Sequence, residues 1–239
     1  MVGTHRRLGT WIDGIDRYIA LSQFAKTKFV EAGFPGNKIV VKPNFVPTDP
    51  GIRADAGDYG LYIGRLSPEK GPFVLLQAAS LLQTNCKIRF VGDGPELPLL
   101  KTISSQKNLA NVEFFGWCQG DQVLQHLKRA RFLVVPSTCY ENFPLTIAEA
   151  FACGVPVICS RIGSLPEIVT DHKTGLLFKT GDVENLASRI DWAYSHQREM
   201  MSMGNAARGE YEGRFTAEAN YRQLMGIYSA AMRDQAKNN

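Results

Sequence analysis

At 239 residues, 44% hydrophobic and 21% charged, the chain carries enough apolar material for a real core, which excludes a disordered segment. Its net charge is +4, and outside His5-Arg6-Arg7 the basic residues are scattered and not interleaved with aromatics, which favours an anionic ligand and argues against nucleic acid. The five cysteines form no Cys-x2-Cys pair, and no apolar run reaches the roughly 20 residues that span a bilayer, so a structural zinc is not indicated and a cytoplasmic setting, or one peripheral to a membrane, is expected.

Residues 1–45 read as the end of another domain, with a strand over 17–21, a helix over 22–32 and a strand over 38–41. Residues 46–58 contain Pro, Gly and Asp and predict a linker. From there strands over 60–63, 87–91, 111–115, 132–135, 155–159 and 175–178 alternate with helices over 71–82, 95–107, 119–130, 144–153 and 182–194. A long helix follows from about residue 215 to 232, where Leu224, Tyr228 and Ala231 suggest an apolar stripe. Such alternation means right-handed βαβ units, so the fold class is α/β: a Rossmann-like, largely parallel sheet with helices on both faces. The Met200-Met201-Ser202-Met203 run reads as packing.

Ligands of such sheets bind beyond the carboxyl ends of the strands. Four loops meet there. Gly64-Arg65-Leu66-Ser67-Pro68-Glu69-Lys70-Gly71 places two cations, Arg65 and Lys70, in a strand-to-helix turn suited to a diphosphate. Gly92 and Gly94 in Val91-Gly92-Asp93-Gly94-Pro95 permit close approach to the backbone. Gly116 and Trp117 offer main-chain groups beside an aromatic for a base. The fourth loop enters a helix predicted to open at Pro144 and close at Gly154, with Glu141 before it and Glu149 within it. Carboxylate and phosphate repel, so these glutamates should face hydroxyls, one set from a sugar and one from a ribose. His126, His172 and His196 lie in surface-like stretches and suggest no site.

This succession of motifs, continued by Val135-Pro136-Ser137, Gly154-Val155-Pro156-Val157 and Asp171-His172-Lys173-Thr174-Gly175-Leu176-Leu177-Phe178, is similar to the C-terminal domain of group 1, or family 4, retaining glycosyltransferases of the GT-B fold. The resemblance implies a nucleotide-sugar-binding domain over residues 59–212 and a C-terminal crossover helix and tail over 213–239. It implies catalytic roles for Arg65 and Lys70 on the diphosphate and for Glu141 on the transferred sugar. It places Glu149 on the ribose, and backbone groups of Asn142, Phe143, Leu145 and Thr146 around sugar and phosphate. Ser22, Pro43 and Asn44 match the family's last N-terminal strand and hinge.

The implied partners are a UDP- or GDP-sugar and an acceptor sugar or glycolipid, in polysaccharide, lipopolysaccharide or glycolipid synthesis. The N-terminal domain of such enzymes would be mostly absent, so a separate N-terminal partner or self-association is expected, with a non-catalytic nucleotide-sugar-binding module as the alternative. No Asp-x-Asp occurs, so neither a metal-bridged diphosphate nor any cofactor is expected.

Overall fold

The structure, a computed structural model, describes residues 9, 10 and 14–238; the basic cluster His5-Arg6-Arg7 lies outside the described residues. The N-terminal unit consists of β1 (Tyr18–Ala20), α1 (Gln23–Glu31) and β2 (Ile39–Val41), the two strands pairing in parallel. The main body contains β3 (Tyr59–Ile63), β4 (Lys87–Val91), β5 (Val112–Gly116), β6 (Ala130–Val135), β7 (Val157–Ser160) and β8 (Gly175–Phe178). All five neighbouring pairs are parallel, in the order β5-β4-β3-β6-β7-β8. Chain order thus reverses between β3 and β6, and the crevice above that point is where open α/β sheets take their ligands.

The helices are α2 (Pro72–Ala79), α3 (Leu97–Gln106), α4 (Gly120–Lys128), α5 (Leu145–Ala152), α6 (Leu165–Ile168), α7 (Val183–Ser195), α8 (Gln197–Arg214) and α9 (Ala217–Asn238). Side chains alternate along each strand, and so the sheet carries two cores. On one face Leu61, Leu133, Val135, Val157 and Cys159 pack with Ile147 and Phe151 of α5 and Tyr211 of α8. On the other, Tyr62, Phe132, Val134 and Ile158 pack with Leu75, Leu100 and Ile190 from α2, α3 and α7. Burial on both faces is why β6 reads as the unbroken apolar run Phe132-Leu133-Val134-Val135. Each such side chain contributes about 1.5–3 kcal/mol through burial, enough to fix the register of the strands that carry the site.

All eight expected strands form, with ends shifted by a residue or two. β7 starts at Val157, because Val155 donates instead to Ala150 O at 2.8 Å and Pro156 has no N–H to give. α5 starts one residue later than expected: Pro144 has ψ 115°, an extended cap, and Gly154 ends the helix at φ 69°. Two helices were not anticipated, α6 and α8. Residues 42–58 carry no helix or strand, yet they are packed and not free. Val46 N–H donates to Phe215 O, Asp49 accepts two bonds from Arg208 at 2.6 and 2.7 Å, and the Arg53 guanidinium donates to Ala130 O at 2.6 Å. Burial pushes the Arg53 pKa down to about 10, since carbonyls and no carboxylate hold it.

Candidate nucleotide-sugar site

Four loops are stitched together above the switch point. Gly92 N–H donates to Gly116 O at 2.7 Å, Leu66 N–H to Asp93 O at 2.9 Å, Glu96 N–H to Leu66 O at 3.0 Å, and Thr138 N–H to Glu69 O at 3.0 Å. Backbone contact this close leaves no room for side chains. A Cβ on Gly92 would run into the Gly64 carbonyl and one on Gly71 into that of Pro136. Gly92 and Gly94 therefore serve loop-on-loop packing, Gly94 facing the Leu66 backbone in the same way, and Gly92 also lines the second of the cavities described below. The space beside Gly116 is open.

Two adjoining cavities share Ile63 and Gly64. One, of about 200 Å³, is lined by Lys70, Ser137, Glu141, Leu145 and Thr146 among others. The other, of about 410 Å³, is lined by Arg65, Gly92, Asp93, Trp117 and Val123. Eight of the thirteen sequence-derived residues line these cavities, Gly64, Lys70, Glu141, Leu145 and Thr146 the first and Arg65, Gly92 and Trp117 the second, whereas Gly94, Gly116, Asn142, Phe143 and Glu149 line neither.

Lys70 sits at the end of the short turn Pro68–Lys70, capped by Gly71 at φ 66° ahead of α2. Its ammonium donates to both oxygens of Glu141, at 2.7 and 3.0 Å. Glu141 is buried, and it also accepts from the Ser137 hydroxyl at 2.6 Å through its side chain and from Ser164 at 2.7 Å through its main chain. Arg65 differs: its side chain is exposed and forms no hydrogen bond or ion pair among the described residues, while Tyr62 Oη pins its carbonyl at 2.7 Å. Burial pushes the Tyr62 phenol upward, and the carboxylates of Glu141, Glu96 and Glu69 add to the shift.

Glu149 lies one turn beyond Leu145 and Thr146 on the same helix face. It is half-buried without a hydrogen bond or ion pair among the described residues, and desolvation raises its pKa. Asn142 is exposed, whereas Phe143 turns its ring into the core at 5.4 Å from Phe215 and has only its backbone to offer. The N–H groups of Asn142, Phe143, Leu145 and Thr146 have no acceptor among the described residues, so the entrance to α5 presents donors and the positive end of a helix dipole. Ser137 and Ser164, which hold Glu141, were missed as functional. The sequence signal is faint: a serine at the end of one strand and another two residues before a proline.

His126, His172 and His196 line neither cavity. His126 packs edge-on against Phe115 at 4.7 Å and burial lowers its pKa, and His196 stacks on Trp192 at 4.3 Å. The described residues contain no group of three or more His, Cys, Asp or Glu arranged to hold a metal ion, and no helix among them is long and apolar enough to cross a membrane.

A six-stranded parallel sheet with paired cations, a carboxylate and a helix entrance at its switch point defines an α/β protein with the GT-B architecture. The profile of the family Glycosyl transferases group 1 matches residues 53–210, and the chain belongs to that family of glycosyltransferases. An uncharacterized glycosyltransferase of Methanocaldococcus jannaschii is 30% identical over 214 residues, 89% of this chain and 58% of its own length. A D-inositol 3-phosphate glycosyltransferase of Saccharomonospora viridis is 34% identical over 194 residues, 76% of this chain and 44% of its own. The chain thus spans roughly half the length of these curated relatives. Among solved structures, Anabaena HepE in complex with UDP and glucose superposes with a TM-score of 0.83 at 22% identity, covering 90% of this chain and 64% of that one. A glycosyltransferase from Rickettsia africae superposes at 0.84 and 21%, covering 96% and 67%.

Proposed function

We propose that the chain is the donor-binding half of a retaining glycosyltransferase, transferring a sugar from a nucleoside diphosphate sugar to an acceptor hydroxyl. The observation that carries this reading is the meeting of Arg65, Lys70 and Glu141 at two adjoining cavities above the switch point. In it the base lies by Trp117, the ribose hydroxyls on Glu149, the diphosphate against Arg65, Lys70 and the α5 entrance, and the sugar against Glu141. HepE, solved with UDP and glucose, shares the fold and supports a ligand of this kind.

The chemistry asked of the protein is mainly electrostatic. As the diphosphate leaves, negative charge grows on its oxygens, and fixed cations and unpaired N–H groups stabilise that charge more than the ground state. The leaving phosphate takes the proton of the incoming acceptor hydroxyl on the same face, which retains the anomeric configuration. No metal ion is assigned a part. Because the chain spans roughly half of its relatives, a second reading is a nucleotide-sugar-binding body whose transfer step needs residues outside it.

Calorimetry with UDP- and GDP-sugars tests the site. Arg65→Ala with Lys70→Ala should weaken nucleoside diphosphate binding, by about 1.5–3 kcal/mol for the Lys70 contact and less for exposed Arg65. Undiminished affinity in a folded double variant removes the cations from the site.

A further inference from the structure

Glu141 is a charged side chain only 9% exposed, and both its side chain and its main chain are held by buried serine hydroxyls. Ser137, 1% exposed after the end of β6, donates to Oε1. Ser164, fully buried ahead of α6, donates to the main-chain oxygen and not to its own helix. The remaining partner of the carboxylate among the described residues is Lys70.

These partners differ in mobility. Lys70 is half-exposed on a flexible four-carbon stem and can swing from the carboxylate to a diphosphate. Ser137 is short, lies away from water and donates its hydroxyl to Oε1 at 2.6 Å. Oε1 receives both Lys70 and Ser137, whereas Oε2 receives Lys70 alone at 3.0 Å, which leaves Oε2 the less engaged oxygen at the cavity.

Resting on the donor-site reading above, we propose that Ser137 is a positioning residue for sugar recognition. Its hydroxyl holds Oε1 so that Oε2 of Glu141 meets the hydroxyls of the transferred sugar, and it keeps the carboxylate in place once Lys70 turns to the diphosphate. Ser164 fixes the backbone beneath. A carboxylate already locked in the productive rotamer loses no rotamer freedom on binding, whereas an unlocked one does, and the loss falls on the sugar alone.

The test is calorimetry on the 239-residue chain with UDP against UDP-glucose and with GDP against GDP-mannose, using the pair that binds. Ser137→Ala is expected to leave affinity for the bare nucleotide within about twofold and to weaken the nucleotide sugar about tenfold, the size of one bond to a charged group. Ser137→Thr, which keeps the hydroxyl, should restore the preference for the sugar-bearing form. Should Ser137→Ala fail to fold, Ser137→Cys, of similar size and a weak donor, gives the same readout. A hydroxyl that only filled space would weaken both ligands alike, and that result, or no change in either, overturns the assignment. Glu141→Gln in the same assay separates the two levels. If it spares the sugar, or if neither pair binds, the donor-site reading falls; if it loses the sugar while Ser137→Ala does not, only the role of Ser137 falls.

Discussion

Lys70 and Glu141 are 71 positions apart in sequence, and the ion pair between them draws the loop after β3 onto the loop after β6. Glu149 has no such partner, and its energetics run the other way. Burial raises its pKa, so the fold favours the protonated acid. The stability tied to that preference is present below the ordinary carboxylate range and is lost as pH rises through the raised pKa. Glu149→Gln keeps the neutral form at every pH. It should therefore melt higher than the parent at about pH 8 and alongside it at about pH 4, while binding nucleotide and nucleotide sugar more weakly. Equal melting temperatures at both pH values would show that the carboxylate is solvated and does not wait for a ribose. Glu149 was conspicuous in the sequence as the one charge on an otherwise apolar or small helix, whereas the roles expected of Arg65, Lys70 and Glu141 came from motifs that resemble those of the family. Ser137 and Ser164 were not conspicuous, since a serine after a strand looks the same whether its hydroxyl meets water or a buried carboxylate.

At the scale of elements, α1 depends on a residue far from it. Ser22 caps the helix by accepting from Ala25 N–H at 3.1 Å, and the Glu167 carboxylate accepts from Gln23 and Phe24 N–H at 2.7 and 2.6 Å. None of the nine residues of α1 is buried, so helix propensity and these caps must hold it. Glu167→Ala should cost about 0.5–2 kcal/mol locally and speed amide exchange across Gln23–Glu31 while β3 and β6 stay protected. Uniform exchange in both proteins would mean that this contact holds nothing. Most elements were legible because strands buried on both faces read as apolar runs and α5 is bracketed by Pro144 and Gly154. The missed α8 shows where that signal ends. Two of its five buried residues, Gly204 and Ala207, are small beside Met200, Met203 and Tyr211, and three glycines dilute its periodicity. A Cβ on Gly204 would strike the Gly154 carbonyl, so tertiary contact with the end of α5, and not local propensity, specifies the helix.

At the scale of the whole molecule, large apolar side chains are exposed on α9 and on the N-terminal unit. On α9 Tyr221, Met225, Tyr228 and Met232 recur at spacings of four, three and four and are 40–65% exposed; the expected stripe of Leu224, Tyr228 and Ala231 is displaced, with Leu224 and Ala231 half-buried. Ile19, Phe29 and Val30 are also more than 40% exposed, on a unit whose two-stranded sheet is too small to be stable without further packing. Meanwhile the ion pair of Arg17 with Asp234 and the bond from Lys42 to Asn220 at 3.0 Å tie α9 to that unit. Uncovered apolar patches of this kind find partners. On the proposed donor-half reading, the 239-residue chain alone is expected to associate as its concentration rises, to bind a nucleotide sugar through the loops above β3 and β6, and to transfer little of it, since donor and acceptor must both be positioned for transfer and the chain spans roughly half the length of its relatives. Sedimentation at increasing concentration reads the first outcome. Transfer of radiolabelled sugar to lipid-linked and free-sugar acceptors reads the last. Rapid transfer by a monodisperse monomer would overturn the expectation and would mean that an acceptor site lies on the described surface, within reach of Glu141 and Lys70.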